Sequence, residues 1–180
     1  MNMRHTQSAG RGFSLVELLV AISIIGILIS VVYVSFNAAR EQARDDARKT
    51  DLKQLQLAVE LYRAQNGRYP AACNTSWSGQ VGSTFACSSG GEYIVGLTPD
   101  FIASLPIDPN IGGSRSYLYR VDSTGSNYKI MAHDTVESKT VTSYNDEFAR
   151  CPRSFNSSHC GNAGPQSTTY AVYSAGAESW

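Results

Sequence analysis

From Phe13 to Phe36 the chain runs for 24 residues with a single charged side chain, Glu17. That run constrains the fold more than any other feature, because about 20 apolar residues suffice to cross the hydrocarbon core of a bilayer as a helix. A cleavable secretory signal has a shorter apolar core, roughly 7–15 residues, and small residues at its cut. No Ala-x-Ala site follows this run. The spacing therefore predicts a helix that stays in the mature protein and spans the membrane. Arg4, His5 and Arg11 precede it, so the excess of positive charge keeps the N-terminus cytoplasmic and places everything beyond about residue 37 outside.

Beyond the run the pattern changes but stays helical. Leu52, Leu55, Val59 and Tyr62 recur at steps of three and four, on one helix face, and Leu57, Leu61 and Ala64 are expected to widen that stripe. No proline interrupts residues 13–65, so one long helix is expected, apolar and then amphipathic. Asn66-Gly67 supplies a C-terminal stop and Pro70 lies past it.

Residues 67–115 are rich in Gly, Ser, Pro and Asn, with a short helical turn expected near Pro99–Leu105. The period then becomes two. Tyr117, Tyr119 and Val121 alternate with Leu118 and Arg120, and Tyr128, Ile130 and Ala132 alternate with Lys129 and Met131. The turn-forming cluster Asp122–Asn127 between them predicts a β-hairpin. Further strands are expected at Val136–Val141 and Tyr170–Tyr173. The hairpin's apolar face needs a cover, and the Leu52–Tyr62 stripe fits it. The fold class is therefore α+β, a long N-terminal helix packed on a small antiparallel sheet.

The segment Gly12-Phe13-Ser14-Leu15-Val16-Glu17-Leu18-Leu19, behind a charged leader, resembles the class III signal of type IV prepilins and type II secretion pseudopilins. Asn66-Gly67-Arg68-Tyr69-Pro70, and Leu105-Pro106-Ile107-Asp108-Pro109 followed by Tyr117-Leu118-Tyr119, are similar to the same family, the latter to its major pseudopilins. The likeness covers roughly residues 10–133. It implies a type IV pilin fold, cleavage after Gly12 by a membrane prepilin peptidase, N-methylation of Phe13, and a role for Glu17 in assembly. The implied partners are other subunits of a homo-polymer and an inner-membrane assembly platform.

A carboxylate at Glu17 near one end of an apolar span costs up to about 3 kcal/mol by insertion scales. Its natural partner is the Phe13 amine of a neighbouring subunit, which would set filament register. The implied organisation is a cleaved leader at 1–12, an assembly helix at 13–36 and an amphipathic helix at 37–66. A loop follows at 67–115, a sheet at 116–141 and a disulfide-bounded region at 142–180. The chain is expected first as a single-pass inner-membrane protein, then in an extracellular filament.

Cys73 and Cys87 bracket one loop, Cys151 and Cys160 another. Neither pair has Cys-x-x-Cys spacing, and an oxidising compartment favours disulfides, with three connectivities open and the local pairs the simplest. His5, His133 and His159 are scattered, and no nucleophile–base pair shows in the linear sequence, so no enzyme is expected. The family's major pseudopilins bind calcium after the sheet. Asp134, Glu137, Asp146 and Glu147 offer hard oxygen ligands in a comparable stretch, but their spacing fits a solvated acidic loop as well. Asn74-Thr75-Ser76 and Asn156-Ser157-Ser158 match a glycosylation pattern.

The formal charge is zero, and loss of Arg4 and Arg11 with the leader leaves 13 basic against 15 acidic side chains, a net −2. That balance disfavours DNA as a global partner. Aromatic residues beside Arg115, Arg120, Arg150 and Arg153 leave a local patch for DNA or a surface ligand. The function expected first is a surface-filament pilin serving adhesion, motility or DNA uptake. The alternatives are a pseudopilin of a type II secretion-type system, or a membrane-anchored binding protein that never polymerises.

Overall fold

A computed structural model of the chain describes residues 12–88, 90–139, 141, 143–153, 160 and 166–180, without the side chains of 31, 32, 34 and 35. Two units, Met1–Arg40 and Glu41–Trp180, are described separately. One helix, α1, covers Leu15–Asn66. Its end follows the expected chemistry. Gly67 takes a left-handed φ of 73° and donates its N–H to the Arg63 carbonyl at 2.8 Å, the αL cap that glycine adopts without a Cβ penalty.

Among the described residues four strands follow: β1 (Ser78–Gly79), β2 (Ser116–Val121), β3 (Tyr128–His133) and β4 (Tyr170–Tyr173). They form one antiparallel sheet in the order β1-β2-β3-β4. Leu118 pairs with Met131 and Tyr119 with Ile130 across the central hairpin. The Asp122 carboxylate holds its turn, accepting from the backbone N–H groups of Thr124 (3.1 Å) and Ser126 (2.8 Å), an Asx-type arrangement.

The core lies between α1 and one sheet face. Leu52, Leu55, Ala58 and Val59 pack with Tyr117, Tyr119, Tyr128, Ile130, Ala132, Tyr170 and Val172. Full burial of an aliphatic side chain such as Leu52 or Leu55 contributes about 1.5–3 kcal/mol. Two of these tyrosines have hydroxyl partners: Tyr117 donates to Asp51 at 2.6 Å and Tyr119 to the Pro70 carbonyl at 2.7 Å. The sheet's other face is also covered, with Leu118, Met131 and Ala171 beneath Trp77, Phe85 and Tyr173.

The structure departs from the sequence expectations in four places. Leu57, Leu61 and Ala64 do not widen the buried stripe but are exposed, because the sheet is narrow and covers only the Leu52–Val59 face. The expected strand at Val136–Val141 is absent among the described residues. Val136 and Val141 are buried, but the N–H groups of Glu137 and Ser138 turn to the Asp45 carboxylate (2.8–3.2 Å), and Lys139 takes a left-handed φ of 50°. Backbone amides satisfied by a side chain leave no ladder to form. Of the outer strands, the one at 170–173 lies where a strand was expected, whereas the one at 78–79 was not expected and falls outside the 116–141 span. At Pro99–Leu105 there is a turn, closed by Phe101 N–H on the Leu97 carbonyl at 3.1 Å, and no helix.

Candidate processing and assembly site

Ser14 starts α1. Its side-chain oxygen accepts from the Val16 N–H at 3.3 Å and its carbonyl from Leu18 N–H at 3.2 Å, so it acts as the N-cap. Ser14 and Glu17 have the Ser-x-x-Glu spacing of a capping box, and Glu17 is the acid of the first turn, where the helix dipole favours it. Glu17 thus has a local electrostatic reason to be there. Gly12 has no such local reason. A Cβ built on it meets nothing within 4 Å and its φ is not positive, so neither packing nor backbone strain demands glycine. Phe13 is 82 % exposed.

The segment that follows exposes large apolar side chains in every direction, Leu18, Ile22, Ile25 and Leu28 among them. Its serines bond inward, Ser23 to the Leu19 carbonyl at 2.8 Å and Ser30 to the Ile27 carbonyl at 2.7 Å. A helix built this way presents little unsatisfied polarity to an apolar surround. Among the described residues, no helix is long and apolar enough to cross a membrane.

In the second unit, charge is gathered inside. Arg48, fully buried, donates to Asp108 (Nε, 2.7 Å), to Asp45 (2.7 Å) and to Glu137 (2.9 Å). Arg44 also donates to Glu137, at 2.7 Å, and Ser138 Oγ bonds Asp45. Burial alone would lower the Arg48 pKa, but the carboxylates of Asp108, Glu137 and Asp45 raise it. The hydrogen bond from Arg44 comes first among the causes that hold the Glu137 carboxyl below its usual range. One guanidinium thereby ties α1 to the Leu105–Pro109 loop through Asp108 and to the segment between β3 and β4 through Glu137. The sequence reading missed this cluster. The i,i+3 spacing of Asp45 and Arg48 on a helix, with an acid between two prolines, was its available signal.

The four acids considered for calcium do not converge. Glu137 is taken up by the arginines, and Asp134 accepts from Thr168 Oγ1 at 3.1 Å. Asp146 accepts from Ser143 N–H at 2.9 Å, and Glu147 pairs with Lys53 at 2.9 Å. Among the described residues no group of three or more His, Cys, Asp or Glu is arranged to hold a metal ion.

Disulfides join Cys73 to Cys87 and Cys151 to Cys160. Asn74 spends its amide hydrogens on the carbonyls of Trp77 (3.3 Å) and Phe85 (3.1 Å), so it is not presented as a glycosylation acceptor. Asn156, His5 and His159 lie outside the described residues. Arg120 and Arg150, considered for a ligand patch, are engaged within the fold. Arg120 sits over the rings of Trp180 (4.8 Å) and Trp77 (5.7 Å), and buried Arg150 donates to Gln166 at 2.6 Å. Arg115 is exposed, and Arg153 is likewise exposed.

Lys129 was also missed. It is fully buried on the outer sheet face. Its ammonium donates to the carbonyls of Trp180 (2.9 Å), Glu178 (3.1 Å) and Ala177 (3.4 Å), above the Tyr173 ring at 4.6 Å. Desolvation, with Arg150 nearby, lowers its pKa to about 7. Strict alternation in β3 already put Lys129 opposite the helix-facing residues, but nothing in the sequence said that the outer face would be covered.

Residues 8–33 match the prokaryotic N-terminal methylation motif. The type II secretion system core protein G of Pectobacterium carotovorum subsp. carotovorum is 36 % identical over 61 residues, 34 % of this chain and 39 % of that protein. Its counterpart in Escherichia coli (strain K12) is 37 % identical over 60 residues, 33 % of this chain and 41 % of that one. The type IV major pilin protein PilA of Myxococcus xanthus (strain DK1622) is 28 % identical over 93 residues, 52 % of this chain and 39 % of the pilin. The chain thus spans about two fifths of the length of these relatives. No solved structure matches it. The methylation motif, the helix-on-sheet architecture and both groups of relatives agree in making the chain similar to type IV pilins and type II secretion pseudopilins.

Proposed function

We propose that this chain is made as a prepilin, held in the inner membrane by residues 13–36, cut after Gly12, methylated at Phe13, and polymerised through that helix into a type IV pilus-like surface filament. The observation that carries the reading is the methylation motif at residues 8–33 on a helix whose apolar side chains have no cover within their own unit. Such a surface needs lipid first and then copies of itself. Gly12, which the fold does not require, serves the peptidase: an extended, unbranched backbone is easy to reach at the membrane surface. The freed Phe13 amine pairs with Glu17 of a neighbour, and repetition of one heterologous contact gives a helical polymer. The role is structural and not catalytic, and the disulfide-bounded region after Cys151 forms part of the displayed surface.

A second reading, a major pseudopilin of a type II secretion-type system, draws on the relatives named as core protein G and on the Leu105–Pro109 loop. The test is expression of the full chain with its own prepilin peptidase, then intact mass and N-terminal sequence of the membrane and sheared fractions. The surface pilin predicts methylated Phe13 as first residue, in sheared filaments, and at least a tenfold loss from that fraction on Glu17→Ala. Processed chain that stays cell-bound, with secretion lost on deletion, favours the pseudopilin. An uncut, monomeric chain overturns both.

A further inference from the structure

The end of α1, the hairpin tip and the loop after Tyr69 enclose a groove of about 650 Å³, within the range of small-ligand sites. Its lining includes apolar and aromatic residues, Tyr62, Tyr69, Val95 and Val121, beside the Cys73–Cys87 bridge, and exposed polar ones, Arg68, Thr75 and Ser123. We propose that this groove binds an acidic carbohydrate, a short oligosaccharide whose uronate carboxylate is held by Arg68.

Three features carry the assignment. The groove is pre-formed. Tyr69 N–H donates to the Gly125 carbonyl at 2.8 Å, and Gly125 has φ 69°, so the hairpin tip is pinned against the loop. A Cβ at Gly125 would lie 3.0 Å from Arg68 Cβ, so the arginine stem rests directly on the tip. The polar groups also sort by availability. Both Asp122 oxygens are consumed in its own turn, by Thr124, Ser126 and Asn127. Arg63 and Glu60 are both spent on the Tyr69 hydroxyl, at 2.9 and 2.8 Å. Arg68, exposed at the rim, has no hydrogen-bond or ion-pair partner among the described residues, and Ser123 and Thr75 are exposed beside it. The ligand chemistry follows from that pattern. A pyranose offers a C–H face to an apolar floor and hydroxyls to rim hydroxyl groups, and a carboxylate matches a guanidinium fork bidentately.

The test uses the full-length chain in detergent and trigalacturonate as probe, with saturation-transfer NMR and calorimetry at low salt. Saturable binding is expected, weakened about tenfold by Arg68→Gln, the loss of one charge-assisted contact. It should be abolished by Thr75→Trp, which fills the groove from an exposed rim position, and unchanged in Arg120→Gln on the outer sheet face. Glu17→Ala chain, unable to assemble, should bind equally, so the site and the filament reading stand or fall apart. No saturable binding by the wild-type chain, equal affinity for neutral galactotriose, or full affinity in Arg68→Gln would each overturn the proposal.

Discussion

The two units of this chain treat water in opposite ways. In the first, residues such as Leu18, Ile22 and Leu28 are exposed around a helix with hardly a charge on it. In the second, Asp45, Arg48, Asp108 and Lys129 are buried. Globular proteins usually do neither, since large exposed apolar patches mark interaction surfaces and buried charges need partners. The difference shows where each unit finds its partners. The second finds them internally: Arg48 meets Asp45 and Asp108, and Lys129 meets a set of carbonyls. In the first, the described large apolar side chains lie exposed, and under the function proposed above lipid and then further copies cover them.

The comparison breaks most visibly at Arg48. If the second unit is self-sufficient because this guanidinium compensates Asp45, Asp108 and Glu137, then Arg48→Met leaves buried carboxylates unpaired. Breaking a buried pair from one side costs about 3–5 kcal/mol. Denaturant unfolding of the chain should show that loss in midpoint with little change in slope. Arg48→Lys should recover only part of it, because an ammonium cannot serve three carboxylates through a planar fork. A loss below about 1 kcal/mol in Arg48→Met would mean that the cluster is not what holds the two loops to α1.

How far the two units were legible in advance follows the same division. In the first, the signals read from the sequence lie close together: an apolar run with one charge, Glu17, directly after Gly12, and the helix expected there is observed from Leu15. The hairpin and the cap at Gly67 were readable for the same reason, since alternation, turn residues and helix stops act over short range. What the sequence hid was long-range. Asp45 and Glu137 are 92 residues apart, and their contact diverted the 136–141 segment from strand to turn. Likewise the exposure of Leu57 and Leu61 depends on sheet width, which two-residue β1 and distant β4 set. The Arg68 groove joins a helix end to a hairpin tip more than fifty residues later, so no local motif announces it.

Lys129 sharpens the comparison through pH. Its folded pKa of about 7 lies below the ordinary 10.5, so between those values the unfolded chain holds a proton that the folded chain has released. Stability therefore rises with pH across that window, by up to about 1.4 kcal/mol per unit for one proton. Below about pH 7 the group is charged in both states and contributes no slope. Unfolding of Lys129→Met from pH 6 to pH 10 should lose this rise. An unchanged slope would assign it to another group and leave the ammonium fully charged among its carbonyls.

The smallest effect comes from a place where the second unit behaves like the first. Leu57 is 62 % exposed on the helix face turned away from the sheet. If it serves only contacts between copies, Leu57→Ser changes the unfolding free energy of the unassembled chain by less than about 0.5 kcal/mol, as surface substitutions do. Leu55→Ala, two residues away and fully buried, costs about 2–5 kcal/mol. The pair separates two kinds of apolar residue that share one stripe in the sequence. A large loss from Leu57→Ser would show that the unit covers this face itself, and the contrast between the two units would then begin nearer the N-terminus than Leu57.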